Sequence, residues 1–210
     1  MIKDVHITNL VKHALIETRE EKSDGSRGKF QELSGFVFFI DIRNSTQTFL
    51  EQQDRTYLKF AHAFYAGVHK IFRAYKFRED SIKFLGDGIL AIYIENLNKE
   101  SFNCPAYEVS SKIVFLVKEI IKHLGAKDND IIDGIRISVV PTNKYKLYRG
   151  KTGIYGDSRI EYNGLAINQA VSLTKIKYPN EPFAVMRMMD YNYSNIEYKQ
   201  IKDGVYEYEL

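Results

Sequence analysis

Apolar positions along the chain change period several times, and each change marks an element. Phe36-Val37-Phe38-Phe39-Ile40-Asp41-Ile42 is a nearly unbroken apolar run rich in Val, Ile and Phe. Such a run predicts a strand at about 33–42 buried on both faces. The segment Thr48–Tyr75 instead spaces Leu50, Tyr57, Phe60, Phe64, Val68, Ile71 and Phe72 near three and four. That spacing predicts one or two helices packed on the sheet. Two apolar runs between Ser81 and Ile94 flank Gly86-Asp87-Gly88, which predicts a β-hairpin. Pro105 opens a further helical stripe that runs from Val109 to Leu124 and stops at Gly125. Asp133–Val140 and Tyr145–Ile154 predict another strand pair, and Asn163–Ile176 a helix ending before Pro179. Phe183–Met188, Ile196–Ile201 and Val205–Leu210 predict closing strands. This order predicts an α+β fold with helices on one face of a largely antiparallel sheet.

Ahead of the first strand, Val5, Leu10, Val11, Ala14 and Leu15 form a helical stripe. A polar, glycine-bearing run from Glu20 to Lys29 follows. The chain therefore divides into an N-terminal arm with its loop, residues 1–30, and one domain, residues 31–210.

Composition narrows the classes. With 44% hydrophobic and 13% aromatic residues in 210, the chain buries a full core. No apolar run approaches the roughly 18 residues of a membrane span. The mixed polar start, Met1-Ile2-Lys3-Asp4, lacks the pattern of a secretory signal. One cysteine, Cys104, excludes an intramolecular disulfide and a cysteine-rich zinc cage, and a reducing cytoplasm is the simple expectation. A net charge of +3 is too mild to indicate nucleic acid but leaves room for a local polyphosphate pocket.

The candidate chemistry lies in two aspartates. Asp41 closes the first strand and Asp87 sits in the hairpin turn, so adjacent strands would bring both to one rim. Close carboxylates repel unless a cation joins them. A hard divalent ion such as Mg²⁺ or Mn²⁺ takes one or two carboxylates together with phosphate oxygens. Arg43-Asn44-Ser45-Thr46 offers amides and hydroxyls before a helix start, a phosphate cradle. The plainer alternative is that Asp-Gly is hairpin chemistry and Asp41 a helix cap.

With those pieces in view, about residues 34–210 resemble the class III nucleotidyl cyclases, the catalytic domain of adenylate and guanylate cyclases. Phe38-Phe39-Ile40-Asp41-Ile42-Arg43-Asn44-Ser45-Thr46 resembles the first metal-aspartate strand and phosphate loop. Lys83-Phe84-Leu85-Gly86-Asp87-Gly88-Ile89-Leu90-Ala91 resembles the second metal-aspartate hairpin. Gly134-Ile135-Arg136-Ile137-Ser138 is similar to the strand that follows, and Gly164-Leu165-Ala166-Ile167-Asn168-Gln169-Ala170 to the helix of the catalytic asparagine. The resemblance implies a ferredoxin-like α+β fold, a nucleoside triphosphate substrate, and two divalent cations, Mn²⁺ or Mg²⁺. Asp41, Asp87 and the Ile42 carbonyl would hold the metals, and Asn44, Ser45 and Thr46 the phosphates. It further implies that Lys83 and Glu161 read the base, that Asn168 orients the ribose, and that Lys202 meets the triphosphate. The family's sites lie between two subunits, so a homodimer is expected.

One departure stands out. Ser172 occupies the position where the family carries an arginine, or sometimes a lysine, that stabilises transition-state charge; Lys175 and Arg159 are the nearby substitutes. Val139–Arg149 lacks the family's glycine pattern and carries Lys144, Lys146 and Arg149, for which a solvated charged hairpin is the favoured expectation. Asp41-Ile42-Arg43-Asn44-Ser45-Thr46 in a chain without a sensor is also similar to the bacterial pyrimidine cyclases of anti-phage defence. That resemblance implies UTP or CTP as substrate, cyclic UMP or CMP as product, and a separate effector. Purine specificity and a silent nucleotide-binding dimerisation domain are the alternatives.

The remaining reactive residues read as structural. His13, His62, His69 and His123 lack a carboxylate or cysteine to complete a metal set. Met186, Met188 and Met189 read as core filler. The late tyrosines, including Tyr198, Tyr206 and Tyr208, read as strand formers.

Overall fold

The computed structural model describes residues 31–45, 55–95, 105–126, 131–152, 159–190 and 196–210. The N-terminal arm, His6, His13, Thr46 and Cys104 lie outside the described residues. In chain order the elements are β1 (Gln31–Glu32), β2 (Gly35–Ile42), α1 (Arg55–Ala74), a 3₁₀ turn (Glu79–Ser81), β3 (Ile82–Leu85), β4 (Gly88–Ile94) and α2 (Ala106–His123). There follow β5 (Ile135–Pro141), β6 (Leu147–Thr152), β7 (Arg159–Gly164), α3 (Leu165–Thr174), β8 (Ala184–Met189), β9 (Lys199–Lys202) and β10 (Val205–Glu209).

The main sheet has seven strands in the order β3-β4-β2-β5-β8-β10-β9. Every pairing is antiparallel except β5 with β8. The alternation along β2 explains its unbroken hydrophobicity. Phe36, Phe38, Ile40 and Ile42 face a core shared with α1 and α2. Val37 and Phe39 face a second core built with Ala166, Ala170 and Leu173 of α3. In α1, Tyr57, Phe60, Ala61, Phe64, Val68 and Phe72 are buried at helical spacing. Phe38 meets Phe72 and Phe77 edge-on, with ring centroids 6.0 and 5.2 Å apart.

Two expectations are corrected. Helices cover both faces of the sheet, not one: α1 and α2 lie on one side and α3 on the other. The cause is visible in β5 and β8, where every residue is buried, so each face needs a cover. Second, the strands near 133–140 and 145–154 do not pair with each other. β5 runs between β2 and β8, whereas β6 leaves the main sheet and pairs with β1 and β7.

The segment Arg159–Gly164, not anticipated as a strand, supplies β6 with its partner. Its charged and polar residues mask the alternation of Ile160 and Tyr162. It ends at Gly164, where φ is +152° and a Cβ would stand 2.2 Å from the Lys146 carbonyl oxygen. The helix expected from Asn163 therefore begins only at Leu165. Met186, Met188 and Met189 are buried as expected, and Tyr208 joins the core.

Phe38→Ala is expected to cost about 3–5 kcal/mol, because it empties a fully buried aromatic cluster. Leu58→Ala, on the exposed side of α1, is expected to stay within about 0.5 kcal/mol. Urea unfolding of both variants measures the difference.

Candidate functional site

The rim of the sheet where β2 ends carries the candidate site. Antiparallel pairing sets Asp41 opposite Gly88, so Asp87 at the β3–β4 turn comes to the end of the same strand pair. Gly86 makes that turn in the left-handed region, φ +66°. The Tyr65 hydroxyl of α1 donates to the Gly86 carbonyl at 2.6 Å and holds the hairpin tip. Ser45 is buried and its hydroxyl donates to the Asp87 carboxylate. Asp41, Asp87, Ile42, Asn44 and Ser45 line one cavity of about 600 Å³.

The loop after β2 is clamped from below. Arg43 donates to the carbonyls of Asp133, Glu181 and Phe183 and to the Glu181 carboxylate. Asn44, at φ +55°, donates to the Asp133 carboxylate. Gly134 permits this passage, since a Cβ there would lie 2.2 Å from the Arg43 guanidinium.

Glu181 collects three arginines. Besides Arg43 it pairs with Arg136, on the strand beside Asp41, and with Arg187. Arg187 is only 1% exposed; it donates to Glu207 at 2.7 Å and to the carbonyls of Leu173 and Ile176. Tyr178 donates to Glu207, and its own pKa is pushed up to about 12, first by burial and then by that bond.

Arg136 stands between two carboxylates whose pKa values shift in opposite directions. Burial alone would raise Glu181, but the hydrogen bonds and charges of Arg136 and Arg187 outweigh it and hold Glu181 below the usual range. Arg136 stands 3.8 Å from Asp41. There burial first, and the Asp87 charge second, hold Asp41 above its ordinary value despite Arg136 and Lys177. A half-buried, incompletely neutralised carboxylate pair with Ile42 beside it is a donor set that fits a hard divalent cation. Among the described residues, no group of three or more His, Cys, Asp or Glu gathers at one point.

The other anticipated residues are arranged differently. Asn168 and Ser172 lie exposed on α3 and do not line this cavity of the same chain. The Ser172 hydroxyl donates to the Asn168 carbonyl at 2.7 Å. The Lys83 ammonium points to the Ile160 carbonyl at 3.4 Å, beside exposed Glu161 on β7. Lys202 is exposed on β9, at the opposite edge of the sheet from β3. Thr46 lies outside the described residues. Lys144, Lys146 and Arg149 pair with Asp190, Glu32 and Asp80 respectively.

Sequence reasoning missed Arg136, Lys177 and Glu181. Arg136 was legible in principle as a lone charge inside an apolar strand.

No protein-family model matches the chain, and no curated protein does. Solved structures do. The guanylyl cyclase Cya2 is 12% identical, with a TM-score of 0.59 over 86% of this chain and 92% of that one. The adenylyl cyclase CyaB from P. aeruginosa is 18% identical, with a TM-score of 0.57 over 85% and 94%. A non-canonical dimeric guanylyl cyclase domain of the RhoGC fusion protein from the aquatic fungus Blastocladiella emersonii is 14% identical, with a TM-score of 0.51 over 84% and 95%. The chain has the class III cyclase fold. Among the described residues no helix is long and apolar enough to cross a membrane.

The raised Asp41 value has a defined sign. Its contribution favours the folded state below the ordinary value of 3.8 and is lost as pH rises through the raised folded value. In metal-free protein, Asp41→Asn is therefore expected to raise the melting temperature at about pH 7 more than at about pH 4. Adding Mn²⁺ should raise the wild-type melting temperature and leave the variant unmoved. Thermal melts in chelator and in Mn²⁺ check both.

Proposed function

We propose that the chain is a metal-dependent nucleotidyl cyclase that converts a nucleoside triphosphate to a 3′,5′-cyclic nucleotide and pyrophosphate. The observation that carries this reading is that Asp41, near the end of β2, and Asp87, in the β3–β4 turn beside it, line one cavity of a class III cyclase fold. In this reaction the ribose 3′-oxygen forms a bond to the α-phosphorus as the α–β phosphoanhydride breaks and pyrophosphate departs. Two divalent cations, Mn²⁺ or Mg²⁺, would supply Lewis-acid activation of the hydroxyl and neutralise the polyphosphate.

The chain's own groups divide the remaining work. Asp41, Asp87 and the Ile42 carbonyl would hold the cations. The Asn44–Ser45 loop, with Thr46 after it, faces the phosphates, and its position is fixed by Arg43. Lys83 and Glu161 are assigned to the base, Asn168 to the ribose, and Lys202 to the triphosphate. Asn168 and Ser172 point outward on α3, so they serve a site completed by a second copy, and the working unit is a homodimer.

The base is assigned as a pyrimidine, UTP or CTP, giving a cyclic UMP or CMP messenger for a separate effector in anti-phage defence. The support is the sequence resemblance of residues 41–46. The names of the structural neighbours favour a purine instead. A silent nucleotide-binding domain draws on one observation: Ser172, where a transition-state cation is expected, spends its hydroxyl within its own helix. Loss of such a donor costs on the order of a hundredfold in rate.

Incubation with each of the four ribonucleoside triphosphates and Mn²⁺ tests all three. Cyclic product and pyrophosphate are expected from UTP or CTP, and Asp41→Ala or Asp87→Ala should lower the rate by at least about a hundredfold. Product from ATP or GTP alone transfers the assignment to a purine cyclase. Asp41-dependent nucleotide binding without product from any of the four transfers it to the silent domain.

A further inference from the structure

The cavity that holds Asp41 and Asp87 has a second wall. It is formed by the C-terminal end of α3 and the residues just beyond, with Val171, Thr174, Lys175 and Lys177 lining it. This wall belongs to the same chain as the aspartates. Asn168 and Ser172, on the outward side of the helix, are not part of it.

The backbone that carries the two lysines is rigidly rooted. Arg187 donates to the Leu173 carbonyl at 3.0 Å and the Ile176 carbonyl at 2.8 Å, closing the helix end with a buried cation. Glu181 and Glu207 hold Arg187 in turn. Lys175 and Lys177 themselves are exposed. Among the described residues, neither forms an ion pair.

The other cations at the cavity are committed. Arg43 and Arg136 both pair with Glu181. The cavity therefore has two carboxylates on one wall and, on the other, two lysines that form no ion pair among the described residues. A bare polyanion would be repelled by the carboxylates. A bare cation would be repelled by the lysines. A polyphosphate complexed to a divalent cation satisfies both walls at once.

We propose that Lys175 and Lys177 bind the polyphosphate of the metal–nucleotide complex in cis, within the protomer that supplies Asp41 and Asp87. This rests on the nucleotidyl cyclase reading and adds a polyphosphate-binding pair to it. One protomer then holds the metals and supplies a polyphosphate-binding pair beside them. The pair also brings positive charge to the substrate from the turn after Ser172, where the helix itself carries none.

Calorimetry of the full chain with Mn²⁺ and inorganic tripolyphosphate tests the assignment. One tripolyphosphate per chain is expected. The Lys175→Gln/Lys177→Gln variant should bind it at least about tenfold more weakly. Its affinity for Mn²⁺ alone should be kept or increased, because a like charge has been removed from the cation's surroundings. Lys175→Arg/Lys177→Arg should retain tripolyphosphate binding. Lys112→Gln/Lys118→Gln, on the exposed side of α2, should leave it unchanged.

Tripolyphosphate binding within about twofold of wild type in the Lys175/Lys177 glutamine variant overturns the inference. So does an equal loss in the Lys112/Lys118 variant, which marks non-specific charge attraction. If Asp41→Asn abolishes Mn²⁺-dependent binding while the Lys175/Lys177 substitutions do nothing, only the lysine assignment fails. A wild-type chain with no Mn²⁺-dependent tripolyphosphate binding overturns this inference and the metal–nucleotide reading together.

Discussion

The site depends on β2 being buried on both faces between two antiparallel neighbours. Its register with β4 puts Asp41 opposite Gly88, and its register with β5 puts Asp41 opposite Arg136. A strand slipped by one residue would turn Asp41 into the core shared with α1 and α2 and bring a large apolar side chain to the cavity. Phe36, Phe38, Ile40 and Ile42 on one face oppose that slip, because each would leave an established core. The carboxylate is thus held in place by the apolar residues that alternate with it. Gly88 contributes at the same point, since a Cβ there would come 2.7 Å from the Phe39 ring.

Charge is distributed around that strand unevenly. Among the described residues, Glu181 pairs with Arg43, Arg136 and Arg187, while Asp41 has the far side of Arg136 at 3.8 Å and the more distant charge of Lys177. A buried ion pair seldom adds much net stability, but removing one partner is expensive. The cluster is therefore better understood as a fixture. Through Arg43 it fixes the loop after β2, through Arg136 the floor beside Asp41, and through Arg187 the end of α3. Three segments that meet at the cavity, remote from one another in sequence, are tied to one carboxylate. That arrangement leaves Asp41 short of neutralising charge, the electrostatic condition under which a divalent cation is worth most.

Local patterns told much of the fold. The strand to Ile42, the hairpin about Gly86-Asp87-Gly88, the helix between Pro105 and Gly125, and the three closing strands all stand close to where periodicity placed them. These are segments whose own burial sets the period. The failures share a different physics. β7 is a strand because β6 pairs with it, not because Arg-Ile-Glu-Tyr-Asn-Gly is strongly apolar. The separation of β6 from β5 is a matter of partner choice, which no window of sequence contains. At the site, Asp41 and Asp87 were legible because each sits in a local motif. Glu181, Arg187 and Lys177 were not, because they matter only through contacts with residues far along the chain.

The chain also presents its candidate site residues in two directions. Asp41, Asp87, Lys175 and Lys177 line one cavity, whereas Asn168 and Ser172 occupy the exposed side of the helix whose end forms a wall of that cavity. A ten-residue helix cannot turn both sides toward one ligand in a single protomer. Its inward side is already spent, with Ala166 and Ala170 packed on the sheet and the Ser138 hydroxyl bonded to the Ala170 carbonyl at 2.7 Å. Under the proposed function the two sides of α3 then serve two different active sites. The inner end completes the polyphosphate cavity of its own chain, and the outer side faces the cavity of a second copy. Such a division explains how Ser172 can stand where a cation is expected. On that proposal the positive charge would be supplied from within each protomer, leaving the outer side free to orient the ribose.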